Sequence, residues 1–105
     1  MTLTKHEIYV KALLEGYEDL NEKKMYAGKW HLADELMTLD RAIELADLTD
    51  KQREALSLYF RYDLGQEDTA QRMGVSQPMI TKHVATAIKK IANIYEEWEA
   101  LEYVN

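Results

Sequence analysis

Cysteine is absent from the 105 residues, which excludes disulfides, a thiolate nucleophile and any Cys-based zinc site. Proline occurs once and glycine four times. No run alternates β-branched with polar residues, so strands find no support and helices meet few breakers. Long apolar runs are missing too: nothing approaches the roughly 18 uninterrupted apolar residues that a membrane span needs. The opening MTLTKHEIYVKALLEGYEDL carries acids through its apolar positions, unlike a secretory signal. A cytoplasmic protein with no membrane partner is the expectation. His6 and His31 stand alone, without metal-ligand spacing, and read as surface residues; no metal or cofactor is expected. The acid pairs Asp34-Glu35 and Glu96-Glu97 are chain neighbours whose side chains diverge on a helix, so they solvate a face rather than perform acid–base chemistry. Ser76 has no base partner in the pattern. With no catalytic residue to nominate, an enzyme is not expected.

What is present is a chain apolar enough to fold and long enough for one small domain: 47% of it is hydrophobic. Its net charge of −6 is unevenly spread. Residues 1–50 hold six basic and eleven acidic side chains, and residues 94–105 hold four acids and no base. Residues 51–93, by contrast, hold seven bases and four acids. Between Ser76 and Lys90 there are three lysines, one histidine and no acid. Affinity for nucleic acid follows the field at the contact face rather than the whole-chain charge.

The chain reads as all-α, with about five helices. Thr4 and Glu7 form a T-x-x-E capping box that opens a first helix through about Met25, with Ile8, Leu13, Tyr17 and Leu20 near one face. Tyr26 to Lys29 is the expected break. A second helix runs from about Trp30 to Ala46, its stripe being Trp30, Ala33, Leu36 or Met37, and Ile43. Thr49 and Gln52 make a second box, opening a helix from Asp50 to about Tyr62 that buries Leu56, Tyr59 and Phe60. Leu64-Gly65 ends it, with Gly65 supplying a left-handed residue. A fourth helix covers Gln66 to Met73, and Gly74 is its left-handed cap. Ser76 then caps a fifth helix, with Pro78 in its first turn, where a missing N–H costs nothing. Apolar residues at spacings of three and four (Ile80, Val84, Ala87 or Ile88, Ile91, Ile94 or Tyr95, Trp98, Leu101) carry that helix to about Tyr103.

Residues 64–91 meet five requirements of a helix-turn-helix. Ala70 is small where two helices cross. Gly74 supplies the left-handed residue four positions on, and Val75 the apolar residue after it. Ile80 and Val84 are inner anchors one turn apart. Gln77, Thr81, Lys82, Thr86 and Lys89 form an outer face free of acids.

Leu48 to Ile91 resembles region four of the housekeeping class of bacterial sigma factors. The resemblance rests on Leu48-Thr49 before a helix bearing Arg53-Glu54, on Thr69-Ala70, on Met73-Gly74-Val75-Ser76, and on Ala87-Ile88-Lys89-Lys90-Ile91. Thr86 departs from the arginine that family members often carry before the closing alanine. Residues 1–47 are too short and too acidic for the promoter-melting region of a whole sigma factor. The chain therefore looks more like a stand-alone sigma-like regulator of the kind found in phages and prophages of Gram-positive bacteria. The resemblance implies double-stranded DNA as partner, with Gln77, Pro78, Thr81 and Lys82 facing bases and Arg72, Ser76, Thr86, Lys89 and Lys90 reaching phosphates. His83 reads equally as a phosphate contact or as a core residue.

Three regions are expected: an acidic helical body, 1–47, for oligomerisation or partner binding; the helix-turn-helix, 48–91; and an extension of the last helix, 92–105. Trp30, Tyr95 and Trp98 are either core or the seam of a homodimer or higher homo-oligomer. The function expected is sequence-specific transcription regulation, in phage late-gene control for example. Two alternatives stay open. One is a module that binds RNA polymerase without reading DNA. The other is the small, DNA-recognising subunit of a phage terminase.

Overall fold

The computed structural model describes residues 2–17 and 30–104, with the backbone alone described at 30–33, 103 and 104. The described residues form five α-helices: α1 (Lys5–Glu15), α2 (Trp30–Leu45), α3 (Asp50–Leu56), α4 (Gln66–Met73) and α5 (Gln77–Val104). A π-helical turn, Ser57–Arg61, continues α3. Among the described residues there is no strand, so the all-α expectation holds.

Local chemistry sets the helix ends. At α3 the capping box is complete: Gln52 N–H donates to Thr49 Oγ1 at 3.2 Å, and Thr49 N–H donates to Gln52 Oε1 at 3.1 Å. At α1 it is half formed. Glu7 N–H donates to Thr4 Oγ1 at 3.2 Å, but the Glu7 carboxylate accepts from the Thr4 hydroxyl instead of the Thr4 amide. α1 ends at Gly16, since glycine costs about 1 kcal/mol against alanine in a helix interior; the backbone is helical again at Tyr17, and the rest of the expected helix, through Met25, lies outside the described residues. The expected break at 26–29, and Leu20, lie outside the described residues.

Gly65 is not the left-handed residue the sequence suggested. Its φ of −68° and ψ of 169° make it the extended N-cap of α4. The left-handed residue is Asp63, at φ 53°, a conformation that aspartate tolerates better than most residues. Leu64 N–H reaches back six residues to Leu58 O at 3.1 Å, sealing the end of the π turn. A second aspartate, Asp47 at φ 54°, closes α2.

α5 is the organising element. Its 28 residues extend about 42 Å at 1.5 Å per residue, close to the 44 Å long dimension of the molecule, and it packs against all four other helices. The main core joins Val10, Leu13 and Leu14 of α1, Leu39 and Ala42 of α2, Leu48, Leu56 of α3, and Ala87, Ile88, Ile91 and Ala92 of α5. A smaller core, Ala55, Ala70 and Ile80, lies inside the helix-turn-helix, and Val84 packs on both. Alanines stand at the crossings because a larger side chain would hold the backbones apart. Fully burying each of Val10, Leu39, Ile80 and Ile91 contributes roughly 1.5–3 kcal/mol.

Several expected core positions face outward. Ile8 is 56% exposed, since it lies about 160° around α1 from Val10; the buried stripe is Val10, Leu13, Leu14 and Tyr17. On α2 the stripe is Leu36, Leu39, Ala42 and Ile43, which leaves Met37 exposed. Leu101, near the end of α5, is also exposed. The side chains of Trp30, His31 and Ala33 lie outside the described residues.

The tail of α5 closes onto α1 and α2. Tyr95 meets Tyr9 edge-on at 5.6 Å between ring centroids, and Trp98 meets Tyr95 at 5.4 Å. Lys5 Nζ lies 3.0 Å from Glu99 Oε1, and His6 Nε2 pairs with Glu99 Oε2. His6 is thus wedged between helices rather than free on the surface. These donors, Lys5 first and then His6, hold the Glu99 carboxyl below the usual carboxylate range.

Candidate nucleic-acid interface

The turn between α4 and α5 is built as the sequence predicts. Gly74 has φ 67° and ψ 33°, the left-handed region where a Cβ is strained. That conformation lets Gly74 N–H donate to Gln71 O at 3.3 Å and Val75 N–H to Ala70 O at 3.0 Å, which satisfies two of the four orphan carbonyls at the end of α4. Ser76 Oγ then accepts from Met79 N–H at 3.4 Å and caps α5. Beneath the turn, Ile80 is fully buried against Ala55 and Ala70. Val75, Val84 and Met73 pack around them. The inner face of α5 is therefore fixed, and so is the outer one.

On that outer face Gln77, Pro78, Thr81, Lys82, Ala85 and Lys89 are exposed, and Thr86 is half-buried. Lys82 and Lys89 are seven residues apart, two turns along one side of the helix. The Thr81 hydroxyl lies 3.4 Å from Gln77 O, which leaves its oxygen free to accept. Met79 is exposed beside Pro78, so the leading turn carries an apolar step as well as polar groups. Arg72 and Ser76 are exposed near the turn. No acid occurs on α5 before Glu96, so the first five turns project only neutral and positive side chains.

Lys90, an expected phosphate contact, and His83, which the sequence leaves open between phosphate and core, are both half-buried. Lys90 donates to Gln52 Oε1 at 2.9 Å, tying α5 to the capping box of α3. His83 has its Nε2 buried and without a hydrogen-bond partner among the described residues. Tyr95 and Trp98 form a seam within the chain, between α5, α1 and α2. Burial above all, then the nearby Tyr9, Glu35 and Asp40, pushes the Tyr95 phenol well above its ordinary value.

One neighbour of this face has no local signal in the sequence. Leu3, just ahead of α1, and Glu7 and Lys11 on one flank of it line a groove of about 210 Å³ together with Tyr59, Phe60, Gln66, Thr81 and Ala85. Its floor is Ile80, Val84 and Ile88. The other flank of α1, with His6 and Tyr9, points to the tail of α5. α1 therefore straddles α5, a placement set by tertiary packing and not by any local motif.

The described residues hold no cluster of three or more His, Cys, Asp or Glu able to bind a metal ion, and no helix among them is long and apolar enough to cross a membrane. Residues 45–93, just under half of the chain, match the family model "Sigma-70, region 4". The segment is a sigma region four-like helix-turn-helix, a type of domain that binds DNA. Searches of curated proteins and of solved structures returned no match.

Proposed function

We propose that a sigma region four-like helix-turn-helix makes this chain a sequence-specific transcription regulator, inserting residues 77–89 of α5 into the major groove of double-stranded DNA. The observation that carries this reading is the acid-free outer face of α5, held in a fixed orientation by the Gly74 turn and the Ile80 anchor. Gln77, Thr81 and Lys82 carry the donors and acceptors that base edges pair with, and Pro78 offers an apolar contact. Lys89, Arg72, Ser76 and Thr86 serve the phosphates, which fix register. Lys90 acts from behind, by holding α5 on α3. Such a role belongs in the cytoplasm of a bacterial or phage-infected cell.

The test is Gln77→Ala with Lys82→Ala, in a binding assay at fixed salt on a duplex that the wild-type protein selects from a randomised pool. Each base contact is worth about 1–3 kcal/mol, so affinity falls tenfold or more. Unchanged affinity would sink the assignment of this face.

Self-association is the second element of the proposal. Met37 and Trp98 border a shallow surface depression with Thr38 and Arg41. Leu101, 58% exposed, lies one turn beyond Trp98. A homodimer seated there would present two recognition helices to half-sites about one helical turn apart. Sedimentation of the wild type against Leu101→Glu checks it: a dimer that dissociates in the variant is expected, and a monomeric wild type refutes it.

A further inference from the structure

A recognition helix in a major groove must have phosphates on both of its flanks, and one flank here is short of positive charge. The first turn of α4, which adjoins that side through Gln66, carries Glu67 and Asp68. These acids favour the helix dipole but repel an approaching phosphate. The groove beside Thr81 and Ala85 does contain one cation, and it comes from outside the helix-turn-helix: Lys11 of α1. Lys11 is exposed, on the same flank of α1 as Glu7. α1 is held in this position by Val10, Leu13 and Leu14 in the main core and by the Lys5 and His6 contacts to Glu99. The placement of Lys11 is therefore as fixed as that of α5.

We infer that α1 forms part of the DNA interface: Lys11 neutralises a phosphate on the strand bordering Thr81 and Ala85, and Glu7 opposes that contact, tuning its strength. This rests on the DNA-binding reading above and extends the interface beyond the segment of sigma region four type. The Glu7 carboxylate accepts from the Thr4 hydroxyl at the helix cap, which holds it at the groove rim as a standing negative charge. The two residues are four apart, so one strengthens and the other weakens the same local field.

The experiment measures binding to a fluorescent mixed-sequence duplex between about 50 and 200 mM salt, where each neutralised phosphate adds about 0.9 to the slope of log affinity against log salt. Lys11→Ala is expected to lower that slope by about 0.9 and affinity about fivefold at 0.15 M salt. Glu7→Gln keeps an acceptor for the Thr4 hydroxyl and is expected to raise affinity. Arg61→Ala, an exposed cation that faces Asp40 of α2 and lines neither the groove nor the proposed dimer seat, is the control and is expected to leave the slope as it is. Thermal melts of each variant separate binding from folding. Because the chain has no cysteine, Lys11→Cys gives one thiol for an iron chelate. DNA cut by that chelate at the edge of the protected site supports the placement. If Lys11→Ala keeps the wild-type slope while Gln77→Ala with Lys82→Ala weakens binding, α1 is not at the interface and the recognition face stands. A wild type with no affinity for the duplex overturns both.

Discussion

Gly74→Ala changes the backbone freedom of the turn while leaving its packing untouched. At φ 67° and ψ 33° the residue lies in the left-handed region, and a Cβ built there meets no atom within 4 Å. No clash contributes, so the cost is that of the conformation alone, about 1–2 kcal/mol for a residue with a Cβ. Alanine also stiffens the unfolded chain, which returns roughly 0.4–1 kcal/mol. The net loss is about 1 kcal/mol, or some 4–8 °C in melting temperature for a domain near this size. Far-ultraviolet circular dichroism melts read it directly, and Gly74→Asn should lose less, because asparagine tolerates this region. Gly65 is the internal comparison. It too has open space at the Cβ position, but its φ of −68° is ordinary, and α4 has no side-chain cap. Gly65→Ser should therefore be neutral to mildly stabilising, by a few tenths of a kcal/mol. A Gly74→Ala protein that melts at or above the wild-type temperature would refute the argument that the left-handed turn sets the angle between α4 and α5.

Two further predictions concern the tail of α5. The Tyr95 hydroxyl is buried without a hydrogen-bond partner among the described residues, while its ring packs on Tyr9 and Trp98. Tyr95→Phe keeps the ring and removes the unpaired group, so melting temperature should hold or rise, by the equivalent of about 1 kcal/mol; a clear fall would mean that the hydroxyl is bonded. Burial, first among the causes, raises the phenols of Tyr9, Tyr17 and Tyr95. Folding thus favours their neutral forms, so this stability is complete below the ordinary tyrosine value of about 10 and is lost as pH rises through the folded values. Ultraviolet absorbance should show late-titrating tyrosines in the folded protein, and ordinary titration of all seven would contradict it.

The readable parts of this fold were those governed by short-range chemistry. The Thr49–Gln52 box, Gly74, Ser76 and Pro78 each act within four residues, and the structure forms them as written. Ile80, Ile88 and Ile91 followed from helical period alone. Asp63 was missed because a left-handed aspartate competes with a nearby glycine that looks the better candidate, and because the π turn adds a residue that no sequence rule marks. Ala55 and Ala92 were missed because small residues become core only when another helix arrives to cover them. Ile8 and Leu101 fit an apolar spacing but have no neighbour to bury them. For the site, the exposed face of α5 was legible; the tie of Lys90 to Gln52 and the approach of Lys11 were not, since each depends on a partner distant in sequence.

The central claim is that the outer face of α5 reads DNA sequence, and selection from a randomised duplex pool tests it most directly. The wild-type protein should enrich a defined site. Gln77→Ala with Lys82→Ala should lose its preference at a few adjacent base pairs while the flanking preference persists, since phosphate contacts carry register and not sequence. Recovery of the same site by the variant, or no enriched site with the wild type, would contradict the account.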